Sequence, residues 1–211
     1  FIFNTPQKYD FYISLTVYNR DYPIIEKNSN NKFYISHEIN SRLIKFDNIY
    51  YLTPLAKKNI FKANILPFNN QIKLKTDKPI YVIQGNLGNK RDFTLLEEIF
   101  KHEYDYDFIF KIIGGVDKKY SFPSKLLNKP NILIKTDLNF IDYHKEFLDC
   151  YCLLPLTSKQ KYPAYYQNKL TSSINYIEGY NLKCLIDKDL QNIYNLDNAE
   201  IFNSKADIVE S

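Results

Sequence analysis

The sequence predicts an α/β protein built on doubly wound parallel sheets. Three observations carry this expectation. Short, near-continuous apolar runs recur from Pro79 onward, such as Ile80-Tyr81-Val82-Ile83 and Lys183-Cys184-Leu185-Ile186-Asp187, as required of strands covered on both faces. Those runs alternate with amphipathic stretches of about ten residues, the pattern of βαβ units. Turn formers punctuate the alternation: Gly114-Gly115 stops one run and Gly179 ends a helical one.

Taken in order, residues 1–68 read as strand-rich and form a partial first domain. Strands are expected at 10–18, 32–37 and 48–53. A short helix is expected at 39–45, and another starts at Pro54, where proline suits the first helical position. Residues 69–78 hold paired asparagines and Asp77, and read as a linker. The second domain spans 79–203. Its expected elements are a strand at 80–83, a helix at 91–102 and a strand at 107–113. A strand at 131–135 and a helix at 140–149 follow, then a strand at 151–156 and a helix at 171–180. A strand at 183–187, a helix at 189–196 and a last strand at 199–202 complete it. The helix at 91–102 buries Phe93, Leu96, Ile99 and Phe100 on one face. Residues 204–211 are a tail. Both domains are expected to be Rossmann-like, with ligands bound outside the carboxyl ends of the strands.

Composition narrows the function. The chain has 211 residues, 45% hydrophobic and 25% charged, with a formal net charge of +4. A core can be buried, and the spread of Lys and Arg does not suggest a nucleic-acid binder. There are 19 Tyr and 15 Phe but no Trp and no Met. With the abundance of Asn, Lys and Ile, this looks like codon bias from an AT-rich genome, so the aromatics are not taken as a sign of stacking on sugars or bases. The lack of Met even at position 1 makes missing sequence before Phe1 an expectation. Cys150, Cys152 and Cys184 show no ligand spacing and are expected to be buried thiols in a reducing, cytoplasmic setting. Neither a signal peptide nor an apolar run of transmembrane length is visible.

Two loops suit an anion. Lys169 precedes Thr171, Ser172 and Ser173 at an expected helix start, where unpaired N–H groups and the dipole favour phosphate. The same residues also fit plain N-capping. In the other loop, Gln84, Gly85 and Asn86 follow a strand. Gly85 allows close backbone approach, and Arg91 could clamp phosphate with two parallel bonds. A polar β–α turn is the plainer account. Lys111 lies among apolar neighbours, either aimed at a pocket or extending its ammonium to solvent. Asp105 and Asp107 precede a strand rather than follow one, so no metal is expected.

In strand and loop order, residues 79–203 resemble the donor-binding half of a GT-B glycosyltransferase. The resemblance rests on Phe110-Lys111-Ile112-Ile113-Gly114-Gly115, on 131–140, on Tyr151-Cys152-Leu153-Leu154-Pro155-Leu156 and on 179–187. It implies metal-independent sugar transfer from a nucleotide-sugar donor to a glycan or protein acceptor, with no bound cofactor. Lys169 would stabilise the leaving phosphate, and Thr171, Ser172 and Ser173 would hold the diphosphate. Asp137, Leu138, Asn139 and Phe140 would approach the nucleobase. His37, with Glu38 beside it, would serve as the base, a role that suits histidine near neutral pH. His144 and His102 are weaker choices. Where many retaining members carry two glutamates, this stretch has Tyr166, Lys169, Ser172, Ser173 and Ile174, which leaves the stereochemical outcome open with some preference for inversion. Two rivals stand beside this reading: a non-catalytic nucleotide- or protein-binding domain, and a structural or assembly protein, for instance of a large virus.

Overall fold

The computed structural model describes residues 12–15, 32–60, 74–88, 90–101, 107–116 and 122–202. The expectations at 10–11 and 16–18, half of the linker (69–73), His102, Asp105 and the tail lie outside these residues. The chain divides into two compact units. Phe1–Ala63 groups with Gln167–Leu170, and Asn64–Tyr166 groups with Thr171–Ser211. The inclusion of Gln167–Leu170 in the first unit departs from the expected division, which put that segment in the donor-binding domain.

The first unit contains β1 (Tyr12–Leu15), β2 (Lys32–Ser36) and β3 (Ile49–Tyr51). They form a parallel three-stranded sheet in the order β1-β2-β3. Tyr34, Leu43, Ile49, Tyr51 and Ala56 make its core. The helix expected at 39–45 is a turn instead. Asn40 Oδ1 accepts from Arg42 N at 2.9 Å, and Asn40 O accepts from Leu43 N and Ile44 N. An Asn side chain bonded to nearby backbone competes with helix in this way. The helix expected from Pro54 is likewise a turn, held by Thr53, whose carbonyl accepts from Ala56 N at 3.2 Å.

The second unit carries β4 (Ile80–Gln84), β5 (Ile109–Gly114), β6 (Ile132–Thr136), β7 (Cys152–Leu153), β8 (Lys183–Asp187) and β9 (Ala199–Phe202). Its helices are α1 (Thr94–Ile99), α2 (Ser124–Leu127), α3 (Phe140–Lys145), α4 (Ala164–Gln167), α5 (Ser173–Tyr180) and α6 (Lys188–Tyr194). The final residue of α4 falls in the first unit's grouping. The strands form one six-stranded sheet, β6-β5-β4-β7-β8-β9, parallel throughout.

Alternate residues feed two apolar layers. Val82, Ile113, Leu153, Cys184 and Ile186 pack with Phe147 and with Ile174, Ile177 and Leu190 of α5 and α6. Ile83, Ile112, Cys152, Leu154 and Leu185 pack with Leu95, Leu96 and Ile99 of α1 and Leu126 of α2. Helices therefore cover both faces, which is why the strands are apolar on both sides. The chain starts at β4, steps outward to β5 and β6, then returns to the other side of β4 at β7. This is the doubly wound order with a reversal between its first and fourth strands.

Candidate functional site

The reversal places the carboxyl ends of β4 and β7 side by side, where a doubly wound sheet opens a crevice. Arg91 fills that position. Its Nη2 donates to Gln84 O at the end of β4 (2.5 Å), and its Nη1 donates to Pro155 O just beyond β7 (2.9 Å). The guanidinium thus bridges the two strands that diverge. This also explains why α1 begins at Thr94 rather than at the expected 91: Arg91 N donates to Gly88 O, and its side chain turns inward.

Gln84 and Ser173 complete the cluster. Ser173 Oγ accepts from Arg91 Nη2 at 3.4 Å and donates to Gln84 Oε1 at 3.1 Å. The Tyr143 hydroxyl also meets Gln84 and Tyr176; burial raises its pKa, with these bonds and the Arg91 charge opposing the rise. Arg91, Gln84, Ser173 and Thr171 are all buried. Among the described residues no carboxylate pairs with Arg91, and its Nε has no hydrogen-bond partner. Burial lowers the arginine pKa, with Tyr165 and Tyr143 acting the other way, yet a guanidinium keeps its proton in a protein. A cation buried without a counter-charge is costly. Thr171 Oγ1 is a second buried polar atom without a partner.

The glycines explain the tight packing here. Gly85 has φ 120° and Gly114 φ 152°. A Cβ on Gly114 would fall on Gly85 O, and one on Gly85 would strike Arg91 Nη2. Gly85 N donates to Ile113 O, and Leu87 N to Gly115 O. The loop after β4 is therefore laced to the loop after β5, and its N–H groups at Gly85 and Leu87 are not turned toward a ligand. Asn86 is exposed at its tip.

The remaining expected residues divide clearly. Ser172 stands just before α5 in helical geometry, exposed and with no side-chain cap bond. Lys169 takes a different place from the one expected. It bridges Glu38 in antiparallel fashion within the first unit, and its ammonium lies 3.5 Å from Glu38 Oε2. Its charge is met by a carboxylate rather than left for a diphosphate. His37 neighbours this pair, and its carbonyl accepts from Leu170 N at 3.0 Å. Burial, then the Lys169 charge, lowers the His37 pKa, with Glu38 opposing. The three residues expected to be catalytic, His37, Glu38 and Lys169, thus do gather, but on the first unit.

Lys111 is corrected too. Its ammonium is buried and bonded to both oxygens of Asp149 (2.6 and 2.7 Å), with Glu146 Oε2 at 3.1 Å. It is aimed at neither pocket nor solvent. Asp137 adopts φ 56° and is exposed, and Phe140 is 66% exposed with its ring 4.4 Å from that of His144. Leu138 is half-buried and packs on the core. Cys150, Cys152 and Cys184 are buried thiols; burial pushes Cys152 up to about 12. Among the described residues no group of His, Cys, Asp or Glu could hold a metal ion, and no helix is long and apolar enough to cross a membrane.

Sequence reading missed the direction of Arg91 and the part played by Tyr143. Neither has a local signal, because both depend on contacts across the sheet. No family model matches the chain, and no curated protein is significantly similar to it.

Proposed function

We propose that the second unit binds the diphosphate of a nucleotide sugar at the crevice between β4 and β7, and that the protein transfers the sugar as a GT-B-like glycosyltransferase. The observation that carries the reading is Arg91: a buried guanidinium with no carboxylate partner among the described residues, at the reversal point of the sheet. An anion there would supply the missing counter-charge. Ser173 and the exposed Ser172 add hydroxyls at the positive end of α5. The start of α1 is unsuited to phosphate, because the Asp92 carboxylate already accepts from Thr94 N and Thr94 Oγ1 there.

Isothermal titration with UDP, GDP and their sugar conjugates tests the reading, together with Ser172→Asp. A carboxylate at this helix start preserves or raises stability but repels a phosphate, so affinity should fall by more than about tenfold. Absence of binding to any of these nucleotides removes the proposal. A second reading, nucleotide binding without transfer, is favoured by one observation: Lys169, the residue expected to stabilise the leaving group, is paired with Glu38. Binding without turnover of the sugar nucleotide selects it.

A further inference from the structure

A cavity of about 460 Å³ opens in the second unit beyond the carboxyl ends of β7, β8 and β9. Its walls include Asp92, Thr157, Gln160, Tyr166, Asp187 and Phe202, with Lys188 and Asp189 at the start of α6. The Arg91 guanidinium is not part of it. The volume falls in the range of small-molecule sites.

Its polar groups are fixed and partly uncommitted. Asp187 Oδ1 accepts from Leu190 N at 3.0 Å, and its Oδ2 accepts from Tyr166 Oη at 2.8 Å. Both oxygens are held in place, each with capacity for one more donor. Every hydrogen bond to Asp92 among the described residues lands on Oδ1, from Thr94 N, Thr94 Oγ1 and Lys161 Nζ. Oδ2 is open. Asp189 uses Oδ2 for Lys159 at 2.7 Å. The amide of Gln160 supplies both a donor and an acceptor.

Charge decides the ligand class. Asp92 is balanced by Lys161 and Asp189 by Lys159. Asp187 and Lys188 offset one another on the wall. A phosphate would meet three carboxylates, and a cation would meet lysines. A neutral molecule carrying many hydroxyls can donate to the aspartates and accept from the amide and ammonium, while Phe202 offers an apolar ring. We infer that this cavity binds a neutral polyhydroxylated ligand, a saccharide, at a site separate from the Arg91 cluster, through Asp92, Asp187 and Gln160.

Saturation-transfer NMR on the full chain, with a panel of methyl glycosides (glucoside, galactoside, mannoside and N-acetylglucosaminide), tests this. At least one glycoside should receive saturation. Asp92→Asn keeps an oxygen to cap Thr94 but turns the open acceptor into a donor, and should weaken binding about tenfold. Gln160→Ala, an exposed change, should weaken it in the same direction, with circular dichroism and thermal midpoint reporting the fold of each variant. No transfer to any glycoside, transfer unchanged in both variants, or binding of spermidine in place of the glycosides would overturn the assignment. Titration with UDP separates this result from the nucleotide reading. Binding of UDP with no glycoside bound defeats the saccharide cavity alone, and the converse leaves it standing alone.

Discussion

Arg91 donates to main-chain oxygens at the ends of β4 and β7, so its removal should do more than delete a charge. Arg91→Met leaves Gln84 O and Pro155 O without this donor, and should destabilise the fold by about 2–4 kcal/mol in urea denaturation. Arg91→Lys should not rescue it, because an ammonium lacks the planar fork that spans two carbonyls. Stability equal to the parent's would mean the bridge is incidental. Gly114→Ala should cost at least about 2 kcal/mol, since its φ is strained for any Cβ and the methyl group would fall on backbone rather than on a movable side chain. His144 gives a pH signature. Its Nδ1 lies 2.6 Å from Tyr180 Oη, and burial lowers its pKa. The unfolded chain therefore takes up the proton first. Stability should be full above the ordinary histidine value of ~6.5 and should decline as pH falls through the folded-state value. His144→Phe should flatten that limb of a pH series of thermal midpoints.

Strand β5 carries a charge in its middle. Lys111 sits opposite Val82 and Leu133, with its ammonium drawn to Asp149 and Glu146 beyond α3. Burial opposes its charge, but the hydrogen bond and charge of Asp149 and the Glu146 hydrogen bond outweigh it, so its pKa is raised. This contribution is fully present below the ordinary lysine range and is lost as pH climbs through the raised value. Lys111→Met strands two carboxylates against an apolar sheet and should cost about 3 kcal/mol, measured by chemical denaturation. The double change Lys111→Met with Asp149→Leu should recover part of it. Helix ends follow local chemistry. Asn139 and Asp187 cap α3 and α6 through side chains, and Asn181 and Asn195 supply left-handed residues after α5 and α6. The helix expected at 171–180 does end at Tyr180, but the left-handed residue that turns the chain is Asn181 rather than Gly179. Asparagine tolerates that geometry almost as glycine does.

Across the second unit, the sheet itself sets which hydrogen bonds open last. Amides of β4, β5, β7 and β8, paired on both sides and covered by both apolar layers, should exchange slowest with deuterium. Those of the edge strands β6 and β9 should exchange faster. Uniform protection across all six would contradict the layered core.

The alternation of apolar runs and amphipathic stretches was enough to place the strands at 183–187 and 199–202 at their observed bounds, and the other strands of this unit within a few residues. Periodicity is a local property, so it survives in one dimension. The short segments at Asn40 and Thr53 close as turns rather than helices, at Asn40 through a side-chain bond to Arg42 N and at Thr53 through its carbonyl, because helical propensity has little weight over so few residues. What the sequence by itself determined is the parallel α/β character of residues 79–202, the loops at the strand ends, and Ser172, Ser173, Gln84 and Arg91 as polar groups near them. Only the tertiary structure decided that Lys169 answers Glu38, that Lys111 answers Asp149 and that Arg91 bridges two strands. Charges find partners through space, at separations along the chain that no local pattern encodes.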